Sequence, residues 1–260
     1  MTISSSPTPF AAVVARLRTA GCVFAEDEAR LLLSATSDPA ELEGMIQRRV
    51  DGLPLEQILG WADFCGLRIA VDPGVFVPRR RTEFLVQQAA VLATPGAVVV
   101  DLCCGSGAVG VAIAAAVGPI ELHAADIDPV AVACARRNLA GCGGLAYEGD
   151  LFEALPDALR GRVDVLAVNA PYVPTDEIAM MPPEARDHEP QVALDGGPDG
   201  VDVHRRVAAE AARWLAPGGH VLIETSRRQA PSTAQALAQG GLVPRIEADS
   251  ELHATVVIAT

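Results

Sequence analysis

Residues 163–172 read Val-Asp-Val-Leu-Ala-Val-Asn-Ala-Pro-Tyr. The first six form a largely apolar run, which is typical of a strand buried inside a parallel sheet. Asn169, Ala170, Pro171 and Tyr172 follow directly, and open α/β sheets bind their ligands at the carboxyl ends of strands. An Asn amide is neither an acid nor a base, but it can hold another amide or amino group by hydrogen bonds. We therefore take these four as candidate catalytic residues and expect chemistry at a nitrogen atom.

The flanking sequence alternates strand and helix patterns. Strands are predicted at 97–101, 120–126, 145–148, 163–169, 220–224, 242–247 and 254–259, and helices at 83–93, 108–117, 129–140, 201–215 and 227–238. This alternation predicts an α/β fold with a mostly parallel seven-stranded sheet covered on both faces. The last two strands lack a helix between them, so one of them can run antiparallel at an edge. Residues 180–200, rich in Pro, Asp and Gly, are predicted to form a long loop.

The first part of the chain has a different pattern. Apolar residues recur at three-to-four spacing over 11–20, 26–34 and 39–50, which predicts a small helical domain at residues 1–60. Residues 61–81 are predicted to be a hairpin, with Gly66 at its turn, and a linker whose arginines at 79–81 are solvated. Residues 82–260 are the predicted catalytic domain, and Thr82 is the expected N-cap of its first helix.

Composition narrows the class of protein. The net charge is −13, all 20 basic residues are arginine and aromatics make up 4%, which disfavours DNA as a substrate. No apolar run is long enough for a membrane span, and residues 1–9 lack the basic and apolar regions of a secretory signal. Six cysteines without a C-x-x-C pair read as reduced thiols and not as metal ligands. These features indicate a cytoplasmic protein that uses neither a membrane nor a metal.

A glycine-rich segment, Asp-Leu-Cys-Cys-Gly-Ser-Gly-Ala-Val-Gly at 101–110, links the first predicted strand to a helix. Its G-x-G-x-x-G spacing fits a dinucleotide site, or a simple turn before a helix. Asp101 would repel a pyrophosphate but attract the sulfonium and ammonium of S-adenosylmethionine. Asp126, at the next strand end, is placed to accept ribose hydroxyls, and Asp150 to meet the adenine amino group. The charges therefore favour S-adenosylmethionine over NAD, while Asp128 is predicted to cap the following helix.

Taken together, these motifs resemble the HemK/PrmC-type protein-(glutamine-N5) methyltransferases. The resemblance runs over nearly the whole chain and includes the glycine loop, the tetrapeptide at 169–172 and the Glu189-Pro190 segment. It implies a Rossmann-like class I methyltransferase fold that binds S-adenosylmethionine and releases S-adenosylhomocysteine. The cofactor-binding residues that we assign are Asp101, Cys103, Gly105, Gly107, Asp126, Ile127, Asp150, Leu151 and Asn169.

The resemblance also implies an acceptor and its site. The family methylates the glutamine of the Gly-Gly-Gln motif in peptide-chain release factors, and Asn169, Tyr172, Glu189 and Pro190 are the substrate-binding residues that this implies. The sequence also allows Asn169 to be a simple turn cap and Tyr172 a core aromatic.

Three segments depart from the family pattern. Ala170 replaces the proline of Asn-Pro-Pro-Tyr, Arg80-Arg81 replaces Pro-Glu in Pro-Arg-Pro-Glu-Thr-Glu, and Glu224-Thr225-Ser226 replaces Glu-Ile-Gly. These changes indicate a divergent paralogue. An RNA or small-molecule nitrogen as acceptor, or a non-catalytic cofactor-binding role, are the alternatives.

Overall fold

A computed structural model describes residues 10–260. The expectation that no secretory signal is present concerns residues 1–9 and lies outside the described residues. The same is true of the first nine residues of the predicted helical domain. No helix within residues 10–260 has the length and apolar character needed to cross a membrane.

The described part of the chain begins with four helices that share a small core of their own. They are α1 (Phe10–Thr19), α2 (Ala25–Ala35), α3 (Pro39–Val50) and α4 (Leu55–Leu59). The bounds of α3 are as predicted, because Asp38 accepts a hydrogen bond from the Ala40 N–H and proline occupies the first helical position. Helix α4 was not predicted, since five residues are too few to show a periodic pattern.

A two-stranded hairpin follows, β1 (Trp61–Phe64) and β2 (Leu67–Ala70), as predicted. A short 3₁₀ turn at Arg80–Thr82 then leads into α5 (Glu83–Leu92). The predicted N-cap role of Thr82 is wrong. Thr82 itself has helical backbone angles and its hydroxyl caps no backbone N–H. The side chain is buried and points instead toward Asn169.

The remaining elements alternate along the chain. They are β3 (Val98–Leu102), α6 (Ala108–Val117), β4 (Glu121–Asp126), α7 (Pro129–Leu139), β5 (Leu145–Glu148), β6 (Val163–Val168), α8 (Pro183–His188), α9 (Asp202–Trp214), β7 (Leu215–Thr225), α10 (Ala230–Gln239), β8 (Pro244–Asp249) and β9 (Ala254–Ala259). Within residues 10–260, β3–β9 form one seven-stranded sheet in the order β5-β4-β3-β6-β7-β9-β8. The predicted fold class is confirmed.

The antiparallel strand is β9, and it lies between β7 and β8. The expectation that the reversed strand lies at the edge is therefore wrong. Strand β9 is fully buried and apolar, whereas β8 is half exposed and carries Arg245 and Glu247. A buried apolar strand is more stable inside the sheet, and a charged strand suits the edge because it discourages further pairing.

Two apolar cores cover the two faces of the sheet. Helices α5, α6 and α7 pack on one face, and α9 and α10 on the other. The segment at 180–200, predicted to be a loop, contains α8 and short 3₁₀ turns. It lies next to the chain that leaves β6, since Val173 forms a bridge with Asp195. This segment therefore covers the carboxyl ends of the strands, where the candidate residues lie.

Candidate active site

A cavity of about 930 Å³ opens at the carboxyl ends of the parallel strands. Its volume is at the upper end of the range for ligand pockets. Every candidate residue from the sequence lines it except Gly107. Those that do are Asp101, Cys103, Gly105, Asp126, Ile127, Asp150, Leu151, Asn169, Ala170, Pro171, Tyr172, Glu189 and Pro190.

The glycine loop forms one end of the cavity. Gly107 lies behind the lining with φ +75°, and a Cβ there would overlap the side chain of Leu139 on α7. It therefore permits close packing of α6 on α7 and does not face a ligand. Cys103 has φ +58°, a left-handed conformation that is costly for a residue with a side chain. Burial and the surrounding carboxylates raise the pKa of its thiol, so the thiol stays neutral.

Asp101 is the second-to-last residue of β3 and is almost completely buried. Its Oδ2 accepts a hydrogen bond of 2.9 Å from the Gly110 N–H in the first turn of α6. The pKa of this carboxyl is raised to about 8, mainly by burial; the Gly110 hydrogen bond opposes the rise, and the negative charge of Asp126 adds to it. A positive ligand at this end of the cavity would favour the ionised form.

Asp126, at the end of β4, is fixed by main-chain donors. Its Oδ2 accepts from the Gly105 N–H at 2.8 Å and its Oδ1 from the Asp128 N–H at 2.9 Å. Asp128 accepts in turn from the Val130 N–H, so its predicted N-cap role is confirmed. The carboxylate of Asp126 is therefore held rigidly at the cavity wall, with lone pairs left for a ligand.

Asp150 follows β5 and pairs with Arg206 of α9, with an N–O distance of 2.7 Å. Leu151 beside it has φ +50°. The ends of β3, β4 and β5 thus bring three carboxyl groups to one side of the cavity, as the sequence predicts. Arg206, which also lines the cavity, was not predicted. Arg206 lies in α9, where no sequence motif marks it as a site residue.

The corner after β6 forms the other side of the site. The Asn169 Nδ2 points toward the Thr82 hydroxyl at 3.5 Å. Within residues 10–260, neither the Asn169 Oδ1 nor the Ala170 carbonyl receives a hydrogen bond. Ala170 as a whole residue is 1% exposed, and its side chain packs in the core. Two unpaired acceptors therefore lie on adjacent residues, both of which line the cavity.

Tyr172 is fixed at both its ends. Its hydroxyl donates to the Glu224 Oε1 at 3.2 Å, and its carbonyl accepts from the Gln229 side-chain amide at 2.7 Å. Burial and the neighbouring Glu224 raise the pKa of the Tyr172 phenol, so the phenol stays protonated. Gly196 and Gly200 lie so close to its main chain that a Cβ on either would overlap it. The orientation of Tyr172 therefore depends on several distant segments.

The arginines at 79–81 are not simply solvated, and that interpretation is wrong for two of them. Arg79 donates to both oxygens of the buried Glu189 at 2.6 Å, and Arg81 donates to Glu224 at 3.4 Å. Glu189 also accepts from the Val77 N–H. Burial raises the pKa of both carboxyls, and the arginines oppose this rise. The linker thus supplies the cations that neutralise two buried acids near the β6 corner.

Glu224 and Gln229 were not predicted as parts of the site. Glu224 is the second-to-last residue of β7, next to β6 in the sheet, so the rule that ligands bind at strand ends could have found it. No sequence signal pointed to Gln229, because it lies just before α10 and contacts Tyr172, which is 57 positions earlier in the chain. Within residues 10–260, no group of three or more His, Cys, Asp or Glu side chains is arranged to hold a metal ion.

The chain has clear similarities to known proteins. Residues 66–181 match the family described as "Methyltransferase small domain". The chain is 37% identical to the "Release factor glutamine methyltransferase" of Geobacter sulfurreducens, over 78% of this chain and 72% of that one. It is 36% identical to the "4-amino-L-phenylalanine/4-methylamino-L-phenylalanine methyltransferase" of Streptomyces pristinaespiralis, over 72% of this chain and 66% of that one.

The fold resembles that of solved methyltransferases. A crystal structure of a methyltransferase from Pyrococcus furiosus superposes with a TM-score of 0.57 at 17% identity, covering 75% of this chain and 88% of that one. These similarities agree with the resemblance noted from the motifs.

Proposed function

Because the chain belongs to the release factor glutamine methyltransferase family, we propose that it methylates the side-chain amide nitrogen of a glutamine in a peptide-chain release factor. S-adenosylmethionine is the methyl donor in this proposal, and S-adenosylhomocysteine is the product. The observation that carries the proposal is the pair of free acceptors, the Asn169 Oδ1 and the Ala170 carbonyl, at the wall of a large cavity.

The chemistry of the cavity fits the donor. Three carboxyl groups, from Asp101, Asp126 and Asp150, lie at the strand ends where a molecule with two positive groups and a nucleoside would need them. We assign Asp101 to the cationic end, Asp126 to the ribose hydroxyls and Asp150 to the adenine amino group. S-adenosylmethionine supplies an electrophilic methyl group on a sulfonium when it is bound.

The lining around these carboxyls supports the same assignment. Cys103, Gly105, Ile127 and Leu151 form the walls around this ligand, and Gly107 shapes the loop from behind. A dinucleotide would place its pyrophosphate beside buried carboxyl groups, which is unfavourable.

The acceptor side explains how an amide can react. An amide nitrogen is a weak nucleophile because its lone pair is delocalised into the carbonyl group. The Asn169 Oδ1 and the Ala170 carbonyl would each accept one N–H of the substrate amide, which favours a pyramidal nitrogen with a localised lone pair. Each such buried hydrogen bond is worth about 1–3 kcal/mol when its loss leaves a partner unsatisfied. Positioning of the nitrogen supplies much of the remaining rate.

The other candidate residues have supporting roles in this proposal. Tyr172 packs over the substrate amide, and its bonds to Glu224 and Gln229 hold the ring and main chain in place. Glu189 and Pro190 form the wall of the channel through which the substrate loop enters. The helical domain at residues 1–60 recognises the release factor, and residues 82–260 carry out the transfer.

The direct test is transfer of labelled methyl from S-adenosylmethionine to a purified release factor. We expect label on the wild-type release factor and none on a variant in which the glutamine of Gly-Gly-Gln is changed to Asn. Asn169→Ala should transfer the methyl group much more slowly but still bind the cofactor in calorimetry. If the wild-type release factor takes up no label while the cofactor still binds, the release factor is not the acceptor.

A small-molecule amine is the second candidate acceptor. It is favoured by the similarity to the Streptomyces pristinaespiralis enzyme, whose name gives an aromatic amino acid as its substrate. The departures at Ala170 and at Glu224-Thr225-Ser226 from the usual motifs are compatible with a changed acceptor. The same labelling assay with 4-amino-L-phenylalanine in place of the release factor separates the two. Label on the amine and none on the protein would favour this candidate.

A further inference from the structure

Helix α8 and its neighbours form one wall of the cavity. Met181, Pro182, Glu184 and Ala185 line it from this side, and Glu189 follows directly. The helix has only six residues, and a helix this short is not stable by itself in water. Its position therefore depends on contacts with the rest of the protein.

The first of these contacts crosses to the N-terminal helices. The Glu184 Oε1 pairs with the Arg49 guanidinium of α3 at 2.6 Å. Arg49 is 5% exposed, and it also donates to Glu28 of α2 at 2.6 Å and to the Leu53 carbonyl at 3.0 Å. The guanidinium is thus fixed by the N-terminal helices, and Glu184 is the one partner on α8 that it reaches among the described residues.

The second contact holds the other end of α8. Glu189 is bound by Arg79 and by the Val77 N–H of the linker. His188 packs near Gly52, just after α3: its Nε2 lies 3.5 Å from the position of a Cβ on that glycine. Both ends of α8 are therefore held by residues that precede the sheet in the chain.

We propose that Glu184 and Arg49 are positioning residues for the methyl acceptor. Their ion pair fixes α8 against the N-terminal helices and so sets the width of the acceptor side of the cavity. Pro54 and Glu56, which follow α3, line the same cavity. The N-terminal helices thus build part of the acceptor site itself. This inference rests on the proposed function, because it assigns the α8 side of the cavity to the acceptor.

The chain offers a matched control on the same helix. Glu184 and Asp187 are both 48% exposed, and each takes part in one ion pair. Asp187 pairs only with its neighbour Arg186 among the described residues and does not line the cavity. Comparing Glu184→Ala with Asp187→Ala therefore separates loss of the cross-domain pair from loss of a charge on α8.

We expect Glu184→Ala to raise the KM for the acceptor about fivefold, the effect of one half-exposed, charge-assisted contact. The kcat and the calorimetric affinity for S-adenosylmethionine should stay within about twofold. In Glu184→Ala, hydrogen exchange of the α8 amides should be faster than in the wild type when both are measured without an acceptor. Asp187→Ala should change none of these quantities.

A second variant tests whether Glu184 acts by touching the acceptor directly. Arg49→Met alone would leave Glu28 buried without its partner, so it is combined with Glu28→Gln. This double variant keeps Glu184 but removes its anchor. The proposal requires faster α8 exchange and a higher acceptor KM in both the double variant and Glu184→Ala.

The outcomes separate the two proposals. Unchanged α8 exchange in Glu184→Ala, or a raised KM in that variant only, overturns the positioning role. A wild-type protein that transfers no methyl to any acceptor overturns the proposed function, and the exchange measurement then still decides whether the pair holds α8.

Discussion

Asp101 combines deep burial with a place at the cavity wall, so cofactor binding should depend on pH. Its carboxyl has a pKa of about 8, and a cationic ligand binds the ionised form best. In the unliganded protein the ionised fraction rises from about one in a hundred at pH 6 to about half at pH 8. The apparent affinity for S-adenosylmethionine should therefore rise about tenfold per pH unit from pH 6 to 7 and level off above pH 8.

The same burial makes the folded protein less stable as pH rises, whereas the affinity for the cofactor increases. The carboxyl is held protonated in the folded state but ionises near 3.8 when the chain unfolds. The stabilisation by the bound proton is complete below the unfolded pKa and is lost as pH rises through about 8. Asp101→Asn keeps an oxygen for the Gly110 N–H and has no charge to bury. It should be more stable than the wild type at pH 8 by on the order of a few kcal/mol, with the difference vanishing near pH 4.

Two measurements check this pair of effects. Calorimetry in buffers of different ionisation enthalpy should count nearly one proton released per cofactor bound at pH 7, and urea unfolding without ligand gives the stability. The cofactor's own α-amino group titrates near pH 8, so 5′-methylthioadenosine, which lacks that group and the sulfonium, is the control ligand and should bind with little pH dependence. A flat wild-type profile between pH 6 and 8, or the same slope in Asp101→Asn, would refute the reasoning.

Three further predictions concern other parts of the site. Asn169→Ala should lower kcat about 5- to 150-fold, the effect of losing about 1–3 kcal/mol, while leaving cofactor affinity within about threefold, measured by single-turnover labelling and calorimetry. Gly200→Ala should lower the free energy of unfolding by more than about 2 kcal/mol, because its Cβ would overlap the Tyr172 carbonyl. Gly218→Ala, also at positive φ but in open space, is the control and should lower it by about 1 kcal/mol. Arg79→Met should destabilise the protein by about 3 kcal/mol above pH 7 and less at pH 4, where the unpaired Glu189 takes up a proton.

The elements whose first and last residues were predicted correctly have strong local sequence signals. Helix α3 has a capping Asp38 and a first-turn proline, and β9 is a short apolar run bounded by polar residues. Helix α8 and the interior position of β9 were not predicted. The first is too short for a periodic pattern, and the second depends on how the strands compete for burial, which no local segment records.

The residues of the site also divide into those that a local sequence pattern reveals and those that only long-range contacts define. Asp101, Asp126 and Asn169 could be found because each lies within one residue of the carboxyl end of a strand, and parallel strands bring these ends to one edge of the sheet. The pairs that support them join residues far apart in sequence, 110 positions for Arg79 with Glu189 and 143 for Arg81 with Glu224. A run of arginines in a linker looks the same whether it is solvated or paired with buried acids. Only the folded structure distinguishes the two.

The long-range contacts also bear on the alanine at position 170. The usual motif has proline there, which would stiffen the corner after β6 by fixing one backbone angle. In this chain the corner is held from outside. Gln229 binds the Tyr172 carbonyl, Glu224 binds its hydroxyl, and Gly200 packs against its main chain. Because Ala170 is itself buried, the carbonyl that it presents is confined by the same packing. The rigidity that a proline would give locally is therefore supplied by three distant segments, so replacement of Gln229 should loosen the acceptor corner more here than where proline is present.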